Sequence, residues 1–217
     1  MNLPSGATTS DEELLRLMLA GNADAFSALY RRQQGGVYRF ALQMSGSPAV
    51  AEDVTQEVFL VLMAKGSRYD PARGSVRAFL YGIARNRVRR HRERGSVYVP
   101  LLEESDGNGA HRAEPVGTGD DQLSELARSE QIESVRQAVL SLPLRYREVV
   151  VLCELQELSY EDAAAVVSCS IGTIRSRLHR AREILGRKLQ EGRRGRPVAR
   201  ETQPAQASRR GVRYELP

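Results

Sequence analysis

Residues 159–182, SYEDAAAVVSCSIGTIRSRLHRAR, contain two short helical patterns separated by Ser168-Cys169-Ser170. In the second pattern apolar residues recur at spacings of four, three and four, which predicts one buried side; they are Ile174, Leu178, Ala181 and Leu185. The opposite side carries Thr173, Ser176, Arg177 and Arg180. This arrangement predicts a helix-turn-helix, in which the first helix supports a second that enters the DNA major groove.

The start of the second helix also suits a nucleic-acid partner. Ser170 is placed to cap it, and Gly172 lets the backbone come close to a phosphate. A basic helix taken alone is equally consistent with arginines that only solvate an amphipathic surface. The turn, the two capping serines and the preceding Leu142-Pro143 favour DNA binding.

The rest of the chain is also predicted to be helical, with no strand pattern. In the first half helices are expected from Ser10 to Gly21, Asp24 to Met44, Pro48 to Ala64 and Ser75 to Arg94. In the second half they are expected from Asp121 to a break at Ser141-Leu142-Pro143, from Pro143 in the first helical position to about Leu155, and from Ser159 and Ser170 onward. We therefore predict an all-α chain of two small helical domains, residues 10–95 and 121–190. A flexible acidic linker, 96–120, joins them, and a disordered basic tail, 191–217, follows.

Charge and composition limit the possible functions. The net charge is +5, but six arginines fall within residues 85–94, whereas residues 101–133 hold nine Asp and Glu. Cys153 and Cys169 lack the spacing of a metal site or a disulfide framework. No apolar run is long enough for a membrane span, and no basic segment followed by an apolar stretch opens the chain. A cytoplasmic protein without membrane insertion is expected.

Two sequence blocks resemble one family. LPLRYREVVVLCELQELSYEDAAAVVSCSIGTIRSRLHRAR, residues 142–182, resembles region 4 of bacterial extracytoplasmic-function (ECF) sigma factors. AEDVTQEVFLVLM and FLYGIARNRVRRHRER, residues 51–63 and 79–94, resemble region 2 of the same group, and the resemblance covers about residues 10–190. Four residues depart from the family pattern: Met63 and Phe79 replace tryptophan, Ala163 replaces a larger aliphatic residue, and Ser168 replaces glycine in the turn. Where this position of the turn needs positive φ, serine would lower the stability of the fold by on the order of 1 kcal/mol relative to glycine.

The resemblance implies two partners, core RNA polymerase and promoter DNA. The third predicted helix would dock on the clamp helices of the polymerase largest subunit through Asp53, Gln56 and Glu57, and region 4 would meet the flap. An exposed acidic and amide face suits an arginine-bearing partner. Whether an anti-sigma factor also binds is left open by the sequence.

Two sets of DNA-binding residues follow from the same resemblance. The −10 element would meet Tyr69, Phe79, Arg85, Asn86, Arg89 and Arg90. The −35 element would meet Gly172, Thr173, Arg175, Ser176, Arg177 and Arg180. On the fourth predicted helix, Phe79, Gly82, Asn86 and Arg90 form one line that can stack on a base, hydrogen-bond it and neutralise phosphate. The alternative for Phe79 is a place in the core.

No catalytic residue, metal or cofactor is expected. Glu52, Asp53 and Glu57 are not joined by a histidine or a further carboxylate cluster that would suggest a nuclease. The main rival interpretation is a stand-alone helix-turn-helix regulator that acts without polymerase, although such a regulator has no need of the second basic helix at 85–94. A third is an interaction protein whose helical bundles bind only other proteins.

Overall fold

A computed structural model describes residues 9–97 and 119–194, and within these ranges the chain is helical without any strand. The amino-terminal bundle consists of α1 (Asp11–Leu19), α2 (Ala23–Ser45), α3 (Pro48–Lys65) and α4 (Val76–Val97). Two 3-10 turns, Gly66–Arg68 and Pro71–Arg73, connect α3 to α4. The carboxy-terminal bundle consists of α5 (Gly119–Leu140), α6 (Leu144–Val150), a π-helical segment (Val151–Leu155), α7 (Tyr160–Val167) and α8 (Ile171–Arg194). The predicted all-α fold is confirmed.

Short polar side chains begin the helices where the sequence predicts them. Ser10 Oγ accepts a hydrogen bond from the amide of Glu13, and Ser159 Oγ accepts one from the amide of Asp162. Ser75 Oγ accepts from the amide of Ala78 at the start of α4. Each bond satisfies an amide that has no partner within the helix, which is why serine marks these starts.

Two local predictions differ from the structure. Pro143 is the N-cap of α6, with ψ 139°, and the first helical residue is Leu144. Helix α8 continues through Gly192 to Arg194, beyond the predicted start of the basic tail at residue 191. Helix α2 runs through Gly35-Gly36 without a break, as predicted for residues 24–44. Most of the predicted linker and the tail beyond Arg194 lie outside the described residues.

The two bundles pack against each other and share one continuous cluster of buried side chains. The amino-terminal bundle buries residues such as Leu14, Leu29, Phe40, Val58 and Leu80. The carboxy-terminal bundle buries residues such as Val149, Leu152, Ala163, Ile174 and Leu178. Helix α4 packs against α7, and α2 packs against α5. In the described ranges, no helix combines the length and the apolar character needed to cross a membrane.

Candidate nucleic-acid interface

A cavity of about 590 Å³ lies between α4, the loop before it and the helix-turn-helix. On the amino-terminal side it is lined by Tyr69, Phe79, Gly82 and Asn86, so three residues of the line expected on α4 face one space and Arg90 does not. On the other side it is lined by Ala164, Val166, Ser168 and Cys169. Three of the six residues predicted to meet the −10 element, Tyr69, Phe79 and Asn86, therefore lie together, opposite α7 and the turn that follows it. The other three, which are the arginines Arg85, Arg89 and Arg90, do not line this cavity.

Tyr69 and Phe79 form an aromatic pair at this cavity. Their ring centroids are 5.7 Å apart in an edge-to-face arrangement, and the Tyr69 hydroxyl donates a hydrogen bond of 3.1 Å to the carbonyl oxygen of Gly74. Burial, followed by the nearby carboxylates of Glu12 and Asp162, raises the pKa of Tyr69, so the hydroxyl stays protonated. Phe79 is half-buried at the cavity edge, where an aromatic surface is available for stacking.

The arginines of α4 fall into two groups. Arg85 forms an ion pair with Glu148 of the carboxy-terminal bundle, with Nε 2.6 Å from Oε1, and Arg87 lies 3.2 Å from the carboxylate of Glu57 on α3. Arg89 and Arg90 are exposed. Of the three arginines predicted to contact the −10 element, two are thus presented to solvent, while Arg85 faces an internal partner.

Sequence reasoning did not include two further arginines at this cavity. Arg68 and Arg73 line it and are exposed. Their place within SRYDPARG, directly before the basic helix, is the signal that could have identified them.

Helix α8 presents the surface predicted for the −35 element. Ile174, Leu178 and Ala181 are buried, which confirms the packing side. On the other side Gly172, Arg175, Ser176 and Arg180 are exposed, and Thr173 and Arg177 are half-exposed. Two of these arginines have neighbours: Arg175 lies 5.9 Å from the centroid of the Tyr160 ring, and Arg180 lies 2.6 Å from the carboxylate of Glu183.

The turn between α7 and α8 has the geometry anticipated from its sequence. Ser168 adopts φ 58° and ψ 52°, the left-handed conformation that glycine tolerates best. Ser170 Oγ accepts a hydrogen bond from the amide of Thr173, which orders the first turn of α8.

Helix α3 carries an exposed face of mixed character. Asp53 and Gln56 are exposed. The large apolar side chains Leu60 and Met63 follow on the same face of the helix, with 64% and 60% of their surface exposed. Their spacing from Asp53 and Gln56 is the helical period of three and four residues. This spacing could have added Leu60 and Met63 to the residues predicted to bind polymerase. Glu57 instead turns toward α4, where it meets Arg87 and lies 3.9 Å from His91 Nε2.

No group of three His, Cys, Asp or Glu residues in the described part of the chain is arranged to hold a metal ion. Cys153 and Cys169 are free thiols, and burial raises the pKa of Cys153 to about 11.

Two family matches fall on the two bundles. Residues 29–96 match Sigma-70 region 2, and residues 132–185 match Sigma-70, region 4. The chain is 35% identical over 183 residues to the ECF RNA polymerase sigma factor SigC of Mycobacterium tuberculosis, a match that covers 82% of this chain and 93% of that protein. It is 32% identical to the ECF RNA polymerase sigma factor SigE of Mycolicibacterium smegmatis, covering 74% of this chain but only 60% of that longer protein.

Solved structures with the same fold include two complexes. CnrH, bound to the cytosolic domain of CnrY, superposes with a TM-score of 0.61 at 25% identity, over 84% of this chain and 99% of that one. The sigma factor RpoE of Bartonella quintana, bound to the anti-sigma factor NepR, superposes with a TM-score of 0.56 at 27% identity, over 76% of this chain and 96% of that one.

Proposed function

The chain belongs to the ECF group of sigma-70 RNA polymerase sigma factors, and we propose that it binds core RNA polymerase and directs it to promoters. The observation that carries this proposal is the presence of three separate surfaces on one chain: the exposed face of α3, the aromatic and basic surface of α4, and the polar face of α8. A DNA-binding regulator that acts alone has no use for the first of these.

Polymerase docking is assigned to Asp53 and Gln56, extended by Leu60 and Met63. Protein interfaces commonly combine an apolar centre with polar and charged groups that select the partner. Leu60 and Met63 supply exposed apolar area, and Asp53 supplies a carboxylate for a basic partner. Glu57 contributes through its contact with Arg87, which ties the docking helix to the DNA-reading helix.

Recognition of the −10 element is assigned to Tyr69, Phe79 and Asn86, with Arg89 and Arg90 on the phosphate backbone. A base leaves the duplex stack at a cost of a few kcal/mol, so a protein that melts DNA needs a surface that receives the base. The aromatic pair offers a stacking surface, and the Asn86 amide is able to donate and accept hydrogen bonds at a base edge.

Recognition of the −35 element is assigned to Gly172, Thr173, Arg175, Ser176, Arg177 and Arg180. These residues lie on the side of α8 away from Ile174 and Leu178, and the amino end of the helix favours a negatively charged phosphate. Arginine binds either guanine edges or phosphates. These two roles predict different effects when an arginine is replaced by alanine.

On this proposal the chain is not an enzyme, needs no cofactor, and acts in the cytoplasm beside the polymerase. An anti-sigma factor is proposed as a further partner, since RpoE of Bartonella quintana, to which the fold is similar, was solved in complex with one.

The test is co-elution of the purified chain with core RNA polymerase, followed by mapping of transcription starts after overproduction of the chain. We expect a stable complex and new starts that share −35 and −10 sequences. Tight sequence-specific binding to promoter duplex by the chain alone, without any complex with the core enzyme, would replace this proposal with a stand-alone regulator.

A further inference from the structure

Tyr160, the first residue of α7, lies beside the exposed face of α8 that is assigned to the −35 element. We propose that Tyr160 is a positioning residue. Its ring holds the guanidinium of Arg175 in the orientation in which Arg175 meets promoter DNA, and the ion pair of Arg182 with Glu154 holds the ring. The inference deepens the proposed function and rests on it, since it concerns how α8 contacts the −35 element.

The contact between Tyr160 and Arg175 is a cation–π interaction. Arg175 Cζ lies over the Tyr160 ring, 5.9 Å from its centroid. At distances up to about 6 Å a guanidinium is attracted to the negative face of an aromatic ring. Tyr160 is half-buried and packs against the hydrophobic core, whereas Arg175 is exposed. The ring is therefore the fixed partner, and the arginine is the side chain whose freedom the contact limits.

Arg182 interacts with the same tyrosine. Its Nε donates a hydrogen bond of 3.1 Å to Glu154 Oε1, and its Nη2 donates to the same oxygen. The pKa of Arg182 is raised, first by the hydrogen bond and the charge of Glu154, and further by interactions with Tyr160 that include a side-chain hydrogen bond. Glu154 thus fixes Arg182, and Arg182 restrains the hydroxyl end of Tyr160.

The spacing of the two arginines on α8 suits a single ring between them. Arg175 and Arg182 are seven residues apart, which is about two helical turns, so they lie on the same side of α8 about 10 Å apart. A tyrosine side chain bridges such a gap, with its ring beside one guanidinium and its hydroxyl toward the other. Glu154, Tyr160 and the two arginines therefore form one connected row, built from three consecutive helical segments.

A guanidinium that lies on a ring keeps its hydrogen-bond donors. The cation–π contact uses the flat face of Arg175, so the N–H groups at its edge stay available to a guanine base or a phosphate. Arg180, on the same face of α8, instead donates through Nη1 to the Glu183 carboxylate at 2.6 Å. Arg180 must therefore leave a carboxylate before it binds DNA, whereas Arg175 is already oriented with its donors free of that exchange.

Orientation in advance changes affinity by a measurable amount. An exposed arginine has many rotamers, and immobilising such a side chain at an interface weakens binding about twofold to tenfold. With the Tyr160 ring in place, part of this freedom is already lost in the free chain, so less is lost when DNA binds. The ring acts on DNA affinity only through Arg175, and this dependence distinguishes a positioning residue from one that touches DNA itself.

The test is a double-mutant cycle on promoter binding by the complex of the full chain with core polymerase. The probe is a fluorescently labelled promoter duplex from a mapped transcription start, spanning the −35 and −10 elements. The chains compared are the parent, Tyr160→Ala, Arg175→Ala and the double variant. Tyr160→Phe keeps the ring without the hydroxyl. Tyr146→Ala is the matched control, because Arg145 Cζ lies 4.8 Å from the centroid of the Tyr146 ring on α6, outside the residues assigned to DNA.

We expect Tyr160→Ala to weaken binding about twofold to tenfold in the parent chain, and to have no further effect when Arg175 is already alanine. Tyr160→Phe should recover most of the lost affinity, and Tyr146→Ala should bind like the parent. An equal loss from Tyr160→Ala with and without Arg175 overturns the proposal, as does Arg175→Ala that binds like the parent. Tyr160→Phe as weak as Tyr160→Ala also overturns it, because the hydroxyl and not the ring would then act on DNA.

Two further variants complete the test. Tyr160→Leu replaces Tyr160→Ala if the latter does not fold, because leucine fills much of the same volume without an aromatic ring, and it should show the same dependence on Arg175. Glu154→Gln removes the charge partner of Arg182 and should give a smaller loss that disappears without Arg175. No loss, or one that persists without Arg175, overturns the role of the ion pair. Failure of the proposed function is distinct, since the parent chain then forms no complex with core polymerase.

Discussion

Nε of Arg85 lies 2.6 Å from Oε1 of Glu148, and this contact joins α4 of one bundle to α6 of the other. One arginine of the most arginine-rich helix therefore forms an ion pair with a carboxylate of the same chain. Arg85, which the resemblance assigned to the −10 element, therefore has a carboxylate partner within the chain.

Arg85→Ala should destabilise the folded chain more than Glu148→Ala. The glutamate is the more buried partner, so its unpaired charge is harder to solvate. Loss of one partner of a buried pair costs roughly 3–5 kcal/mol, and this is an upper limit here because opening the bundles returns Glu148 to water. Urea denaturation of both single variants and the double variant measures the coupling. Strictly additive effects would mean that the ion pair contributes no stability.

Gly36→Ala and Gly35→Ala should have opposite effects. A β-carbon on Gly36 would lie 2.7 Å from the Tyr81 hydroxyl and would displace the group that binds Gln156, so we expect a loss of stability. On Gly35 the nearest atom is the end of the Arg39 side chain at 3.3 Å, which can move. Alanine there should gain roughly 0.5–1 kcal/mol from helix propensity. Equal changes in the free energy of unfolding would contradict the assigned packing.

Ser168→Gly should stabilise the carboxy-terminal bundle. The residue has φ 58°, and relief of this conformation is expected to gain about 1 kcal/mol. Ser168→Ala keeps the β-carbon and should give no such gain. Ser170→Ala removes the cap of α8 and should cost about 1 kcal/mol. Thermal unfolding of the three variants checks the order, and a stabilising Ser168→Ala would argue against strain at this turn.

Asp53→Lys should abolish co-elution with core polymerase while leaving the unfolding temperature nearly unchanged, because Asp53 is exposed on the docking face. Glu57→Lys should also lower stability, since it places a lysine beside Arg87. Asp24→Lys, a charge reversal at an exposed site on α2, serves as the control. Retained polymerase binding by Asp53→Lys would remove this face from the interface.

Arg177→Ala and Arg180→Ala should separate base reading from phosphate binding. Loss of a base-reading arginine should cost roughly 1–3 kcal/mol of binding free energy and relax the preference at one base pair. Loss of a phosphate contact should instead weaken binding to all sequences alike, and should lower the slope of log affinity against log salt concentration by about one. Transcription by the holoenzyme from a set of −35 variants, at several salt concentrations, distinguishes the two. If neither variant changes binding or preference, α8 is not the reader.

Much of the fold was predictable because its signals are local. Ser10 and Ser159 cap helices that start within one turn of them, and the spacing of Ile174, Leu178 and Ala181 identifies the buried side of α8 from a dozen residues. The positive φ at Ser168 was anticipated from the resemblance, because the family usually has glycine at this position of the turn. Capping and hydrophobic periodicity act over three or four residues, so both can be read from the sequence without knowledge of the tertiary structure.

The roles of individual charges were decided by the tertiary structure. Arg85 and Arg89 look alike in the basic run, yet the first is paired with Glu148 and the second is exposed. Glu57, adjacent to Gln56 in the docking motif, turns instead to Arg87. The sequence by itself determined which segments are helical and which side of each is apolar. Which charges meet depends on how distant helices pack, because an ion pair forms between side chains close in space, whatever their separation along the chain.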